Sequence, residues 1–393
     1  MTPYGDLLYF AVLLYPAVLT AGLRAVRGTG VGWTWILAVS AAMLTIQYWV
    51  PLPAVLGVAV RELWVVVTFG AVQWIILRLF QRRRAAGKST RVLAVALTAA
   101  IVPLAAVKIV PLVAPQSVIG FLGISYVTFR ALDVLFAVHD GLVMNVAAGR
   151  YLAYVFFFPT VSAGPIDRYR RFNEELETPR TRAALMRDLD AAVHLYLNGI
   201  WFKFVLAALI KLYWLDPAAA ATGALSMLSF MYAYSAYLFF DFTGYTDFAL
   251  GTSYLFGIHP PQNFRRPYLA RNIADFWNRW HISLSHWFRD QIFMRVTITA
   301  TRRRWFPTPV VTSAFAFFIS FGIMGAWHGL TLHFLLYGVF HAALLSAHTA
   351  LSRWGRGVEW WGRGRWWPLM SWFVTFNLVC FGFLLFSGRL VEK

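Results

Sequence analysis

Two histidines in unusual surroundings, His281 and His328, are the residues best suited to proton chemistry. His281 falls in NIADFWNRWHISLSHWFRD (272–290). There Ile273, Trp277, Trp280, Leu284 and Trp287/Phe288 recur at helical spacing. Asn272, Asp275, Arg279, Ser283, His286 and Asp290 form a second, polar stripe with steps of 3-4-4-3-4. An amphipathic helix on a membrane surface, with tryptophan at the headgroup level, accounts for both stripes. It does not account for His281, which falls on the apolar side between Trp277, Leu284 and Phe288. A histidine enclosed by aromatics is most often satisfied by a backbone carbonyl, so by itself His281 is a weak functional sign.

His328 sits in GIMGAWHGL (322–330), flanked by Gly325, Ala326 and Gly329, where backbone or substrate can approach closely. A neutral imidazole at membrane depth can take a proton from a hydroxyl while an acyl group is transferred. No GxSxG nucleophile elbow is present, so direct transfer aided by a base is simpler than an acyl-enzyme. A metal reading fails on spacing. His333 and His341 are eight residues apart, ~12 Å along a helix. His281 and His286 point in different directions, no HExxH pair exists, and the chain has the single cysteine Cys380.

These groups must be positioned inside an apolar layer. The chain of 393 residues is 59% hydrophobic and 13% charged, more apolar than a soluble domain can hide. Apolar stretches near 4–21, 33–50, 54–80, 92–113, 118–137, 192–214, 224–257, 308–327, 330–350 and 369–388 indicate about ten membrane-spanning helices, eleven if 224–257 breaks. The expected class is an all-α polytopic membrane protein in one domain: N-terminal spans over 1–117, a core over 118–350, and a C-terminal loop and last span over 351–393. The first span lacks the basic n-region and cleavage site of a signal peptide. The net charge of +18 comes from arginines clustered between spans, which fits positive-inside topology rather than nucleic acid. Placing those clusters inside puts the N-terminus outside.

Within the fifth stretch, Arg130 and Asp133 are spaced to pair on one helical face. The following YVFFFPTVSAGPIDRYRRF (154–172) is broken by Pro159, Gly164 and Pro165 and reads as a re-entrant segment that needs internal hydrogen-bond partners. Thr181–Leu189 reads as a short surface helix. Asp241 and Asp247 do not fit a calcium loop; their carboxylates are expected to accept bonds from hydroxyls and arginines. Residues 258–306 carry nine arginines and two aspartates. Their charge suits anionic headgroups or an acidic protein. Ile292, Phe293, Met294, Val296 and Ile298, edged by Arg302, Arg303 and Arg304, make an apolar patch with a positive rim suited to a small acidic partner.

FFPTVSAGPI (157–166), DFTGYTDFALGTSYLFGI (241–258), NFRRPYLARNIADFWNRWHISLSHWFRDQIFMR (263–295) and MGAWHG (324–329) together resemble the membrane-bound O-acyltransferase (MBOAT) superfamily. Within it they are most similar to the teichoic acid D-alanyltransferases of the DltB type. The resemblance covers most of the chain from about residue 120. Gln291 stands where that family commonly has tyrosine, and His259 with Pro260-Pro261 also departs from its pattern.

The resemblance implies transmembrane, re-entrant and surface helices around a central passage, with His328 as the essential catalytic histidine and His281 lining the passage. Asp275, Trp277, Asn278, Arg279, Ser283, Asp290 and Trp327 would support that pocket. It implies a bacterial cell-membrane enzyme with no permanently bound cofactor and no metal. A D-alanyl carrier protein (DltC-like) would dock at the 292–304 patch and present D-alanine as a phosphopantetheine thioester. An accessory membrane protein of DltD type and teichoic acid would lie downstream. Two other readings stand beside it: an O-acetyltransferase of an exported polysaccharide, of the alginate type, and a non-enzymatic transporter.

Overall fold

The computed structural model describes residues 2–28, 30–48, 56–114, 120–179, 181–355 and 364–391. Most of the Arg353–Arg365 connection and the first residues of the 54–80 and 118–137 stretches lie outside them. No strand occurs among the described residues. The main helices are α1 (Leu7–Arg27), α2 (Trp33–Tyr48), α3 (Leu56–Ala85), α4 (Thr90–Val113), α5 (Ile124–Asp140), α6 (Ala148–Val155), α7 (Tyr169–Glu177) and α8 (Arg182–Gly199). They continue with α9 (Ala224–Leu255), α10 (Ile273–Trp277), α11 (Ile282–Phe288), α12 (Met294–Arg302), α13 (Pro309–His328), α14 (Leu332–Gly355) and α15 (Trp367–Phe386).

Seven helices among the described residues are long and apolar enough to cross a membrane, against the ten or eleven stretches read from hydropathy. At 16 and 17 residues, α2 and α5 fall short of the ~20 a helical span needs. Helix α9 has the length but carries Asp241, Thr243, Thr246 and Asp247. The short surface helix expected over Thr181–Leu189 is instead the start of a 39-residue helical run, Arg182–Ala220. That run passes through π-helical turns at Ile200–Ala207 and Lys211–Leu215.

The chain forms two compact units, Met1–Gly199 with Tyr245–Pro261, and Ile200–Gly244 with Gln262–Lys393. In the first, the broken stretch after α6 is held by Arg130, buried in the middle of α5. Its guanidinium donates to the carbonyls of Tyr154 (3.1 Å), Val155 (3.2 Å) and Thr160 (2.9 Å). Irregular backbone in an apolar setting requires such donors. Arg130 therefore does not pair with Asp133, as its helical spacing suggested. Asp133 instead accepts from Arg168 Nη1 (2.6 Å) and from the Tyr169 amide (3.1 Å) at the start of α7. Both partners lie too far along the chain for a helical-face argument to find.

The departure at His259 has a structural reason in the same unit. Its Nε2 faces Asp188 Oδ1 at 2.9 Å and its Nδ1 faces Glu175 Oε2 at 3.1 Å. Asp188 is shared with the buried Arg24, which also donates to the Tyr254 and Leu255 carbonyls at 2.9 Å each. Hydrogen bonds to Asp188 first, then Glu175, favour the imidazolium and raise His259 to about 8.

In the second unit, α13 and α14 form an antiparallel hairpin. Thr308 caps α13 through the Val311 amide (3.3 Å), and Pro309 fills its first turn, where no amide partner is needed. The two helices touch backbone to backbone through glycines. A Cβ on Gly325 would lie 2.5 Å from the Phe334 carbonyl oxygen, and one on Gly338 would lie 2.3 Å from that of Phe321. Small residues permit this approach, which is how helices associate where lipid supplies no hydrophobic drive. What approaches His328 through Gly325 is thus the backbone of α14. The Asp241 carboxylate accepts from Lys203 (2.5 Å), a lysine rather than the expected arginine.

Two stability tests follow from these contacts. Gly338→Ala and Gly325→Ala should each lower the thermal unfolding midpoint of the purified protein in detergent by the equivalent of about 1–3 kcal/mol or more. Gly322→Ala, with nothing within 4 Å of its Cβ, should leave the midpoint unchanged. A raised folded-state pKa means the His259 contribution is complete below the unfolded value of about 6.5. It is lost as pH rises through about 8. Unfolding midpoints between pH 6 and 9 should fall across that window in the wild type and less steeply in His259→Gln.

Candidate active site

The expected single helix over 272–290 is two helices with a break at His281. Asn272 opens α10 by accepting the Asp275 amide (2.7 Å). The chain then turns, and His281 takes the left-handed conformation, φ +42°, immediately before α11. For a bulky non-glycine residue this costs roughly 1–3 kcal/mol and is met mostly at functional sites. The break is held by Asn263. Its carbonyl accepts the Ile282 amide (2.9 Å), and its Oδ1 accepts Ser283 Oγ (2.6 Å) and the Ser283 amide (3.3 Å). Arg265 N–H to Arg279 C=O (3.0 Å) extends the pairing. The first amides of α11, which have no partner within the helix, are thus capped by a distant asparagine.

Both short helices still bury the apolar stripe, and Trp277, Trp280 and Trp287 are 7%, 5% and 2% exposed. These tryptophans therefore pack inside the protein and do not form a headgroup belt. Ser283 of the polar stripe is buried as well, on Asn263.

His281 and His328 line one cavity of about 60 Å³, with Leu238, Phe242, Trp277, Trp280, Leu284, Met324, Tyr337, Phe383 and Phe386. His281 is buried, its ring edge-on to Phe242 at 4.9 Å, and its Nε2 has no hydrogen-bond partner among the described residues. Burial, with a smaller push from the nearby His328, lowers its pKa to about 3, so it is neutral at physiological pH. His328 ends α13 among Trp327 (4.4 Å between ring centroids), Phe386 (4.9 Å) and Phe334 (5.9 Å), half-buried. With His281 held neutral, His328 is the imidazole on this small aromatic cavity suited to exchange a proton with a reacting group held there.

A second cavity of about 230 Å³ shares the Trp277 and Met324 walls. It is lined further by Asn278, Ser285, His286, Arg289, Phe293, Phe317, Ser320 and Phe321. Trp277 Nε1 and Ser320 Oγ on its walls are buried without a partner among the described residues.

The other expected site residues separate into roles. Asn278 lines the larger cavity and donates to the Ala274 carbonyl (3.0 Å). Asp275 and Arg279 pair at 2.7 Å, and Asp290 pairs with Arg289 at 2.9 Å, both outside the smaller cavity. In the 292–304 patch, Met294 and Ile298 are each 44% exposed, one turn apart on α12, beside exposed Arg302, Arg303 and Arg304. Ile292 and Val296 are half-buried. Phe293 faces inward and stacks on Phe317 at 4.5 Å, within a π-helical turn over Arg289–Phe293. Such turns often mark functional sites.

Sequence reasoning missed Tyr337, Phe242 and Asn263. Tyr337 and Phe242 reach the cavity from distant spans, with no local signal. Asn263 stands in the quoted NFRRPYL string, but its partner is 20 residues on. His341, considered only for a metal, is fully buried against Trp277 (5.1 Å) and Tyr337 (4.6 Å). Among the described residues no group of three or more histidine, cysteine, aspartate or glutamate side chains could hold a metal ion.

The model of the MBOAT, membrane-bound O-acyltransferase, family matches residues 142–387, which include both histidines and both cavities. The chain is 36% identical to the teichoic acid D-alanyltransferase of Bacillus subtilis, over 99% of this chain and 98% of that one. It is 39% identical to that of Streptococcus thermophilus over 74% of each. With the probable alginate O-acetylase of Pseudomonas aeruginosa it shares 29% identity over 68% of this chain and 49% of the relative. The helical spans, the histidine-lined cavity and these similarities agree: the chain belongs to the membrane-bound O-acyltransferase family and is a multi-pass membrane acyltransferase.

Proposed function

We propose that the enzyme moves D-alanine from a carrier-protein phosphopantetheine thioester toward teichoic acid. The observation that carries this reading is the pair of cavities with a common Trp277–Met324 wall. One holds His281 and His328, and the other reaches Phe293, just before the exposed Met294, Ile298 and Arg302–Arg304. A small acidic carrier would dock on that apolar, positively rimmed face. Its pantetheine arm would lie in the larger cavity, where Trp277 Nε1 and Ser320 Oγ can donate to its amide carbonyls. The near full-length similarity to D-alanyltransferases favours D-alanine over acetate as the acyl group. The basic clusters between spans favour a cytoplasmic docking face and an outside N-terminus, in a bacterial cell membrane. A DltD-type membrane protein would act downstream.

In the reaction, an acceptor hydroxyl attacks the thioester carbonyl. His328 takes the hydroxyl proton, the carbon–sulfur bond breaks, and the departing thiolate recovers the proton from His328. The thioester is already activated, so the protein supplies position and proton transfer. His281, held neutral, shapes the far wall of the cavity.

Ester-linked D-alanine on the envelope polymers of cells lacking the native gene should be restored by the wild type. His328→Ala, at equal membrane levels, should fall at least about a hundredfold short. Equal activity of His328→Ala would remove the general-base role. Restoration of acetyl rather than D-alanyl ester would favour the polysaccharide O-acetyltransferase reading. Charge reversal at Arg302, Arg303 and Arg304 should weaken carrier binding about tenfold or more, with a shallower salt dependence. Unchanged binding at physiological salt would place the dock elsewhere.

A further inference from the structure

A cavity of about 670 Å³ in the second unit shares no lining residue with the two described above. It is a groove between α14 and α15. Leu344, Ala347, His348, Leu351 and Ser352 line it from one helix, and Trp367, Met370, Ser371, Val374 and Leu378 from the other. Both sets follow helical spacing, so each helix presents one continuous stripe. At one end lie Arg271 and Asn272, just before α10, which packs on α14. Arg271 is exposed, and its backbone amide rather than its guanidinium meets Asp275 (3.4 Å).

Its polar residues are unevenly spread: along α14, His348 and Ser352 follow Leu344 and Ala347 toward the C-terminus, and along α15, Ser371 comes before Val374 and Leu378. The α14 C-terminal end is also the basic edge of the unit. Arg302–Arg304 precede α13 and Arg353 lies in the last turn of α14. Because α13 and α14 form an antiparallel hairpin, both sets lie at one end of it. Exposed Trp366 and Trp367 mark the same level, as tryptophan does at a membrane–water boundary.

A groove open on spanning helices, cationic where it meets the headgroups and apolar below, matches a phospholipid. Basic pockets between spans on the cytoplasmic side are where anionic headgroups bind. We propose that this groove holds one anionic phospholipid, its phosphate at Arg271 and the upper part of one acyl chain along α14 and α15. His348, Ser352 and Ser371 are placed to hydrogen-bond the phosphate and ester oxygens. A carrier-protein arm is disfavoured here because the groove is separate from both histidine-linked cavities.

The test is native mass spectrometry of the full chain in detergent with added phosphatidylglycerol or phosphatidylcholine. One phosphatidylglycerol should be retained, at least about fivefold in preference to phosphatidylcholine. Arg271→Gln should abolish the preference, and Ala347→Trp, which fills the groove, should reduce retention of phosphatidylglycerol. His328→Ala should retain the lipid as the wild type does, so failure of the catalytic reading leaves this result intact. Equal retention of both lipids by the wild type would overturn the proposal. So would phosphatidylglycerol binding untouched by both groove substitutions in variants whose unfolding midpoints match the wild type.

Discussion

Irregular backbone inside an apolar layer has to find hydrogen-bond partners within the protein, and the architecture is arranged around that demand. Three buried polar side chains meet it. Arg130 serves the carbonyls of the broken stretch after α6, Arg24 the last carbonyls of α9, and Asn263 the first amides of α11. Water serves such groups at a soluble surface; in lipid an unmet one costs several kcal/mol, by the order of magnitude of polar-group transfer. These side chains are therefore structural conditions for burying irregular backbone.

The break served by Asn263 also shapes the candidate active site. Had α10 and α11 been one straight helix, His281 would occupy an ordinary helical position among its tryptophans. The left-handed turn places it instead at the corner, on a cavity that His328 also lines. The glycine contacts of α13 with α14 fix the other wall, since backbone on backbone leaves little freedom for the two helices to slide. Strain at one residue and close packing at two thus converge on the geometry of one small space. The aromatic lining then sets the chemistry. An imidazole desolvated among Phe242 and tryptophans stays uncharged, free to shape a neutral pocket without attracting counter-ions.

What the sequence made legible was whatever is local and periodic. The apolar stripe over 273–288 identifies the buried faces of α10 and α11, because a face that packs inward keeps its spacing across a kink. His328 stands out through its small neighbours, and the wide spacing of the other histidines argues against a shared metal. What failed was non-local. Arg130 and Asp133 share a helical face, but each finds a better partner 24 to 36 residues on. The break at His281 depends on an asparagine upstream, and a periodic pattern is blind to it. Phe293 looked like part of an exposed patch because its neighbours Met294 and Ile298 are exposed, yet the π-helical turn rotates it inward onto Phe317. Charge placed the basic edge correctly as a feature but left open what it meets.

The two proposed partners differ in the shape they need, since one sign of charge can serve both. Around α12, Arg302–Arg304 lie beside the exposed Met294 and Ile298, a patch that the proposed acidic protein surface can cover. At Arg271 the charge stands instead on a groove lined along two helices, a form that suits a chain-like amphiphile better than a folded domain. Phe293, next to Met294, lines the cavity that shares Trp277 and Met324 with the histidine-lined one, whereas the groove shares no lining residue with either. Proteins that handle a membrane-embedded substrate must keep bulk lipid out of the reacting space while still packing against it. Along α14, the groove-lining Leu344 and His348 follow the cavity-lining Tyr337 by seven and eleven residues on one helical face, so the groove and the aromatic cavity are successive spaces along the same two helices with no lining residue in common.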